Sequence, residues 1–390
     1  MLRASSVWKR GPETVEFEIT TGLTSTTDLR PVLPEPAIQA AVIIVAYNSR
    51  DDLAECLAGM DRWADDTVDL HVVLVDCASA DGSADFVRDR FPRVKLVESS
   101  ENLGFAGGNN LGWDHVRQAY PQTRYVALLN PDTVPQPNWL NPLIDRLESN
   151  PGTAPGIATC QPLITLHDQP DRINTAGNES HYLGFGFITR CGDPIPDVLT
   201  TQQIGYSSGA ALMVRADLLA RHNLFEPRMF LYCEDTDLGW KLSQLGFRHE
   251  LVPASRVAHK FKPSASLKHY YHLERNRWWL LLVYYKRPTL VLILPAFLFM
   301  ELGQVLFAVM RGQLHNKLHA WGYFLNRSNR QRIGDLRRKA QDRRTICDKD
   351  FIQNFTGLID YPTLKGPLVR FIANPILGAY WWLARRLIFW

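Results

Sequence analysis

Arg124-Tyr-Val-Ala-Leu-Leu-Asn-Pro-Asp132 is the stretch whose reading decides the fold. Tyr125 to Leu129 are apolar without a break, and the run stops abruptly at Asn130-Pro131-Asp132. An uninterrupted apolar run of this length, closed by a turn signal, suits a central strand of a parallel sheet. Ligands of such sheets sit at the carboxyl ends of the strands. A carboxylate there can hold a divalent cation against a diphosphate, because hard cations take oxygen ligands. Asn, Pro and Asp are also good turn formers, so on this stretch alone a plain turn stays open.

The flanking sequence alternates strands and helices. Ala41–Tyr47 reads as a buried strand ending at Asn48-Ser49, followed by a helix through Trp63 with Leu53, Leu57 and Met60 at helical spacing. Leu70–Asp76 is a second strand, and a short helix to Phe91 follows Asp81-Gly82-Ser83. Val94–Val97 is a third strand, and Glu101–Asn110 is a glycine-rich loop opening a helix through Ala119. This order predicts a doubly wound α/β sheet with helices on both faces. Three strands then end in polar residues: Tyr47-Asn48, Asp76 and Asn130–Asp132. Interleaved with the Gly-Asn loop, they outline a nucleotide pocket along one sheet edge. Asp76 can accept from a base imide or a ribose hydroxyl, and Gly104, Gly107 and Gly108 permit close backbone approach. Gly-x-Gly-x-x-Gly is missing, which disfavours a nicotinamide enzyme.

Further along, Gly156–Gln161 is strand-like and residues 162–204 read as an irregular excursion. Gly205–Arg215 is a small-residue turn running into a buried strand, and Phe247–Pro253 is another strand. Glu234, Asp235 and Asp237 crowd the start of a helix whose apolar face holds Leu238, Leu242 and Leu245. Such acids are favoured there by capping and by the helix dipole. They also suit a general base among clustered carboxylates, where like charges raise one pKa.

Taken together, Asn48, Asp76 with Asp81-Gly82-Ser83, Asn102–Asn110, Leu128–Asp132, Ser208-Gly209-Ala210 and Tyr232–Asp237 resemble, in order, the motifs of family 2 glycosyltransferases of the GT-A fold. The resemblance covers about residues 40–285 and is nearest the bacterial rhamnosyltransferase-type branch. Asn-Pro-Asp stands where Asp-x-Asp is more usual, and Cys77 replaces a frequent Asn. The resemblance implies that Asp76, Tyr47 and Asn48 hold the nucleoside, and that Asn102, Gly104, Gly108, Asn109 and Asn130 line the donor pocket. It implies Asp132 and His259 as ligands of Mg2+ or Mn2+, Asp235 as the base, and Glu234 and Asp237 as supporting acids. The implied reaction is an inverting, metal-dependent transfer from a dTDP- or UDP-sugar, with L-rhamnose as first donor, to a glycan or polyprenyl-linked acceptor. A UDP-hexose or UDP-galactofuranose transferase stays open, as does an inactive nucleotide-sugar-binding scaffold. Arg275 is open between a phosphate contact and a helix-surface ion pair.

Composition sets the outer bounds. The chain has 390 residues, 46% hydrophobic and 21% charged, with net charge +3, which is ordinary globular composition. Six widely spaced cysteines without Cys-x-x-Cys argue against a zinc site or a disulfide scaffold. The beginning of the chain has no apolar h-region, so no secretory signal is expected. Residues 1–38 read as a flexible arm, 39–285 as the transferase domain and 286–390 as a helical, membrane-associated region. Thr289–Met310 is mostly apolar and would span about 33 Å as a helix, but it contains Glu301 and Pro295 and is basic on both flanks. That pattern favours a re-entrant or in-plane membrane helix over a single span, on the cytoplasmic face of a bacterial inner membrane, and a helix buried against the catalytic domain stays open. Pro367–Trp390 reads as an amphipathic interfacial helix. Lipid headgroups, rather than nucleic acid, are the expected partners of the basic tract.

Overall fold

The structure is a computed structural model that describes residues 37–61, 67–150, 153–262, 268–361, 364 and 366–390. The expected N-terminal arm, up to residue 36, and Trp63 lie outside the described residues. Twelve strands run through them. They are β1 (Ile38–Ala46), β2 (Val68–Cys77), β3 (Lys95–Ser99), β4 (Tyr125–Leu129), β5 (Thr133–Pro135), β6 (Ile157–Leu166), β7 (Gln169–Thr175), β8 (Asn178–Ser180), β9 (Gly186–Ile188), β10 (Gln202–Ile204), β11 (Ala211–Arg215) and β12 (Arg248–His259).

All but β8 and β9 join one sheet, whose main path is β10-β12-β6-β11-β4-β1-β2-β3. β3, β2, β1 and β4 are parallel neighbours. β11 is antiparallel to both β4 and β6, and β12 is parallel to β6. The fold is thus a mixed α/β sheet in which one reversed strand joins two parallel sets.

Side-chain alternation along β1 divides the core between the two sheet faces. Ile43 and Val45 pack in one cluster with Trp113 and Val116 of α3 (Gly104–Ala119). Val42 and Ile44 pack in the other with Leu53 and Leu57 of α1 (Arg50–Asp61), while α2 (Ser83–Arg90) follows β2. Leu143 and Leu147 of α4 (Asn141–Glu148) lie in the same cluster as Leu53. A Cβ on Gly112 would lie 2.5 Å from Ile43 Cγ2, so this glycine sets how closely α3 approaches the sheet.

Two expectations need correction. Residues 162–204 are not irregular: they hold β7 to β10 and most of the second half of β6. Two of the four strands found there pair apart from the main sheet, and three have only three residues, too short for a period-two pattern to show. The strand expected at Phe247–Pro253 instead continues to His259, because β12 changes register between Val252 and Arg256.

After α5 (Ala216–His222) and α6 (Glu234–Gln244) the chain becomes helical. There follow α7 (Tyr270–Tyr284), α8 (Arg287–Met310), α9 (Leu314–Leu325), α10 (Arg327–Arg343), α11 (Asp348–Phe351) and α12 (Asn374–Leu387). These helices pack on the sheet domain through aromatic side chains. Trp240 of α6 meets Phe351 and Phe355 at ring-centroid distances of 5.3 and 5.0 Å, and Trp381 of α12 stacks on Tyr182 at 4.5 Å. By length and composition α8, with 24 residues and an 18-residue window of mean hydropathy 2.2, could cross a membrane.

The charge inside α8 is answered within the protein. Glu301 is buried, pairs with Arg277 of α7 and lies 2.8 Å from Lys317 of α9. Trp321 Nε1 donates to its second oxygen at 3.1 Å. Glu274 completes the cluster with Arg277 at 3.0 Å and with Lys317. Removing one member of a buried ion cluster leaves the others uncompensated, at a cost of about 3–5 kcal/mol. Glu301→Ala is therefore expected to lower unfolding free energy by that order in urea titration. Leu302→Ala, one residue away on the open face, is expected to change it by less than about 0.5 kcal/mol.

Candidate active site

The nucleotide end of the site is built where β1 and β2 finish. Asp76, the residue paired with Ala46 across β1 and β2, is only 3% exposed. Its Oδ2 accepts from the Ser79 amide at 3.0 Å, while its Oδ1 is buried without a partner. A carboxylate oxygen left in that state costs free energy unless a ligand donor meets it. Asn48 adopts φ 51° and acts on the neighbouring loop: its Oδ1 accepts from Ala80 N at 2.8 Å, and its own amide donates to Ser79 Oγ. Tyr47 is half exposed beside it.

The glycine-rich loop divides in function. Asn102 Oδ1 accepts from Gly104 N at 2.9 Å, closing the turn into α3. Gly104 has φ 66°, and a Cβ there would lie 2.5 Å from the Phe230 carbonyl, so both conformation and space demand glycine. Gly108 and Asn109 depart from the expectation that they line the pocket. A Cβ on Gly108 would meet Val45 at 2.6 Å, and Asn109 is buried with its Nδ2 bonded to Phe105 O. Gly108 serves helix–sheet packing, while Asn109 Oδ1 is buried without a partner.

At the end of β4, Asn130 donates its amide to Ala210 O and accepts Thr133 Oγ1 at its carbonyl at 2.6 Å. Its side-chain Oδ1 is buried and unpartnered. The turn presents Asp132, whose Oδ1 lies 3.4 Å from His259 Nε2 at the end of β12. The pair is fixed by strand register, since His259 is opposite Thr133 in the β5–β12 ladder. His259 Nδ1 meets Asn174 Oδ1 at 2.9 Å. With Nδ1–H donated to that oxygen, Nε2 presents its lone pair toward the Asp132 carboxylate. Two lone-pair donors so placed, with the imidazole oriented from behind, fit a metal-binding pair. Burial pushes the Asp132 carboxyl up, but a protonated His259, by its hydrogen bond and charge, outweighs it and holds the carboxyl below the usual carboxylate range, and a cation between the two would stand in for that proton. Among the described residues no cluster of three or more His, Cys, Asp or Glu could hold a metal ion, so these two side chains would need further oxygen ligands.

The acidic helix start stands beside this turn. Gly209 N donates to Asp235 Oδ2 at 3.1 Å, and Thr236 N donates to Oδ1 at 2.7 Å. The Asn130–Ala210 and Gly209–Asp235 bonds therefore tie the β4 end and the acidic helix to one turn, Ser208-Gly209-Ala210. Burial raises the Asp235 carboxyl, and the Gly209 and Thr236 donors only partly offset it. Glu234 is raised further, by burial and then by the Asp235 charge, and its Oε2 has no partner. A carboxylate shifted toward neutral pH is suited to take a proton there.

Asp237 is not a member of this group. It lies two residues from Asp235, about 200° around the helix. It accepts from Tyr284 Oη at 2.7 Å and pairs with Lys241 Nζ at 3.7 Å, facing α7. Its work in this structure is to dock α6 onto α7.

Sequence reasoning missed the brace behind the acids. Phe230, Tyr232 and Cys233 all adopt positive φ, of 63°, 65° and 65°. Such backbone costs of order 1–3 kcal/mol per residue and persists only when its surroundings hold it. Arg275 and Asn276 supply the hold: Arg275 Nη2 donates to Arg228 O and Met229 O at 2.6 and 2.9 Å. Asn276 Nδ2 donates to Met229, Leu231 and Tyr232 carbonyls at 2.9, 3.2 and 2.7 Å. Arg275 is thus buried against loop carbonyls, neither a surface ion pair nor a contact to open solvent. Arg275 and Asn276 are adjacent in the sequence, but their partners are backbone atoms, which no sequence pattern names.

Fold and residue order define a glycosyltransferase. The sequence profile of Glycosyl transferase family 2 matches residues 41–222. Among curated relatives, the N-acetylglucosaminyl-diphospho-decaprenol L-rhamnosyltransferase of Mycobacterium tuberculosis is 27% identical over 237 residues, 56% of this chain and 75% of that protein. Rhamnosyltransferase WbbL of Escherichia coli K12 is 28% identical over 162 residues, 40% of this chain and 60% of that one. Among solved structures, the mannosyltransferase PcManGT of Pyrobaculum calidifontis has 17% identity and a TM-score of 0.46, over 80% of this chain and 89% of that one. GalNAc-T7 has 15% identity and a TM-score of 0.49, and the match spans 65% of this chain and 49% of that one.

The raised Glu234 carboxyl carries a stability prediction. Its folded-state pKa lies above the unfolded value, so the folded protein binds more protons. Stability therefore falls as pH rises from the ordinary carboxylate range toward the raised value. Glu234→Gln is expected to be the more stable protein at neutral pH. The difference should close as pH falls below the unfolded carboxylate pKa, as followed by thermal unfolding across that range.

Proposed function

We propose that this chain is an inverting glycosyltransferase that moves L-rhamnose from dTDP-rhamnose to a polyprenyl-linked or other cell-surface glycan acceptor at the cytoplasmic face of a bacterial inner membrane. The observation that carries the reading is the pairing of the Asp132–His259 lone pairs with the raised Asp235 carboxyl across one shared turn. The donor and acceptor parts are supported by the printed activities of the mycobacterial and E. coli relatives.

In this reading Asp76 accepts from the nucleoside with its unpartnered Oδ1, and Tyr47 flanks the base. The amide-rich start of α3 faces the diphosphate side of the pocket. Asp132 and His259 would hold Mg2+ or Mn2+, with diphosphate oxygens completing the coordination. When bound, the ion supplies positive charge that stabilises the leaving nucleoside diphosphate. Asp235 accepts the proton of the attacking acceptor hydroxyl, and the Gly209 and Thr236 amides stop its carboxylate from rotating away. Attack on the face opposite the leaving group inverts the anomeric carbon in one displacement, with no covalent enzyme intermediate. Glu234, raised further than Asp235 by burial and by the Asp235 charge, is the member of the pair that keeps its proton, and it does not itself contact the acceptor.

Four measurements test this. Nucleotide release from a panel of dTDP- and UDP-sugars, with and without Mn2+, is expected to be fastest with dTDP-rhamnose plus Mn2+. Release from UDP-sugars alone would move the donor, and binding without turnover in the presence of a membrane-extract acceptor would favour the inactive-scaffold reading. Asp235→Asn is expected to lose about 10²–10⁴-fold in transfer rate while still binding dTDP. Asp132→Ala is expected to lose the metal-dependent part of donor binding, and unchanged binding would reject that assignment. The wild-type rate should rise with pH through the raised Asp235 value, since the base must be ionised.

A further inference from the structure

The open face of α8 has no partner within the chain. The helix shows two sides along its whole length. Ile293, Ala296, Met300, Glu301 and Ala308 are buried on the protein side. Val291, Leu294, Leu298, Leu302, Leu306 and Val309, three or four residues apart, face outward. Val291 and Leu302 are 71% and 70% exposed, and Glu301, on the protein side, is the one ionisable residue between Pro288 and Met310. α12 lies against the same helix: Tyr380 Oη donates to Leu292 O at 2.6 Å and Trp390 Nε1 donates to Thr289 Oγ1 at 2.8 Å. It adds its own outward row, Ile376, Trp382, Leu383 and Leu387. Exposed apolar surface on this scale marks an interaction site.

Charge identifies the occupant. Residues 286–390 hold 17 Lys and Arg against 6 Asp and Glu, a net charge of +11, whereas the remainder of the chain carries −8. At the N-terminal end of α8 a groove of about 610 Å3 is lined by Lys286, Arg287, Arg337 and Arg338, with Gln341 and no carboxylate. Burial and then the nearby Arg287 charge push the Arg337 guanidinium below its usual range, with Asp348 acting in the opposite sense, while Arg338 pairs with Asp335. On α12 the Arg386 guanidinium lies 3.6 Å from the Trp382 ring centroid, and the Arg370 guanidinium lies 5.3 Å from that of Phe371 just before the helix. Apolar rows edged by aromatic–cation pairs match the boundary between acyl chains and anionic headgroups.

We propose that α8 and α12 form a monotopic docking face that sinks into an anionic phospholipid leaflet without crossing it, with the basic groove taking a lipid phosphate. A spanning α8 would be surrounded by lipid, yet its inner side is occupied along its length and rooted by the Glu274–Arg277–Glu301–Lys317 cluster. Both ends are also basic, at Lys286-Arg287 and Arg311, which keeps both on one side. The second half of α8 is linked through α7 to the loop that enters the acidic helix. Gln304 Oε1 accepts from Tyr270 Oη at 3.0 Å, and the preceding His269 packs on Tyr232, two residues before Glu234. An acceptor whose lipid tail stays in the leaflet would therefore present its sugar at Asp235. That last step rests on the transferase reading, whereas the docking does not.

The full chain is tested by flotation with vesicles of phosphatidylcholine alone or mixed with phosphatidylglycerol. Dye-free nucleotide release from dTDP-rhamnose in lipid-free buffer is measured in parallel. Tight binding is expected only with phosphatidylglycerol. Lys286→Gln with Arg287→Gln should weaken it by tenfold or more, and Leu298→Asp with Leu302→Asp should abolish it, both with nucleotide release unchanged. Cysteines placed at Arg287 and Arg311 should both react with an impermeant maleimide added outside the vesicles, located by peptide mass spectrometry. Protection of one of them would establish a span and overturn the in-plane proposal. Equal binding to both vesicle types would overturn the headgroup groove. Absence of binding while nucleotide is released, or a lipid-free dimer burying the α8 face, would overturn the docking surface and leave the transferase reading standing.

Discussion

The structure depends on one reversed strand. β11 enters between β4 and β6 against the direction of both, and the turn that feeds it, Ser208-Gly209-Ala210, faces two ways. Ala210 O receives the Asn130 amide, and the Gly209 amide goes to the Asp235 carboxylate. The end of β4 and the start of the acidic helix are thereby held to the same three residues. A carboxyl that burial pushes up is kept oriented by amides that move only if the sheet moves. That is pre-organisation supplied by topology rather than by the side chains alone.

A second layer holds the first. The loop entering α6 carries three non-glycine residues in left-handed backbone. This conformation brings the Phe230 carbonyl over the start of α3, where it accepts from Ala106 N at 3.1 Å. Gly104 has no side chain because that carbonyl occupies the space. From the other side Arg275 and Asn276 hold the loop carbonyls. The donor-side loop, the acidic helix and the first C-terminal helix are thus mutually constrained, which ties the geometry of the site to the packing of the helical third of the chain.

Much of this was legible in the sequence where local pattern and structure share a period. The unbroken apolar run at Tyr125–Leu129 is the fully buried β4, and the strand ends at Asp76 and Asp132 stand where polarity switched. Asn174, which orients His259, was not legible, because it arrives on β7 from a stretch with no periodicity. Asp237 was misassigned because proximity in sequence is not proximity on a helix face. Glu301 argued against burial in a membrane only while its partners, 24 residues upstream and 16 downstream, were invisible. In each case the missing information was a long-range contact, and it decided the role of a residue whose type had been noticed.

The central claim is that Asp132 and His259 form the cation-binding end of one transfer site completed by Asp235. Crystals grown with Mn2+ and dTDP, measured at the manganese absorption edge, test it most directly. The account predicts a single anomalous peak within coordination distance of Asp132 and His259 Nε2, bridged to the diphosphate, with Asp235 across the pocket. A peak bound by other residues, with the Asp132–His259 pair left as it stands, would contradict it.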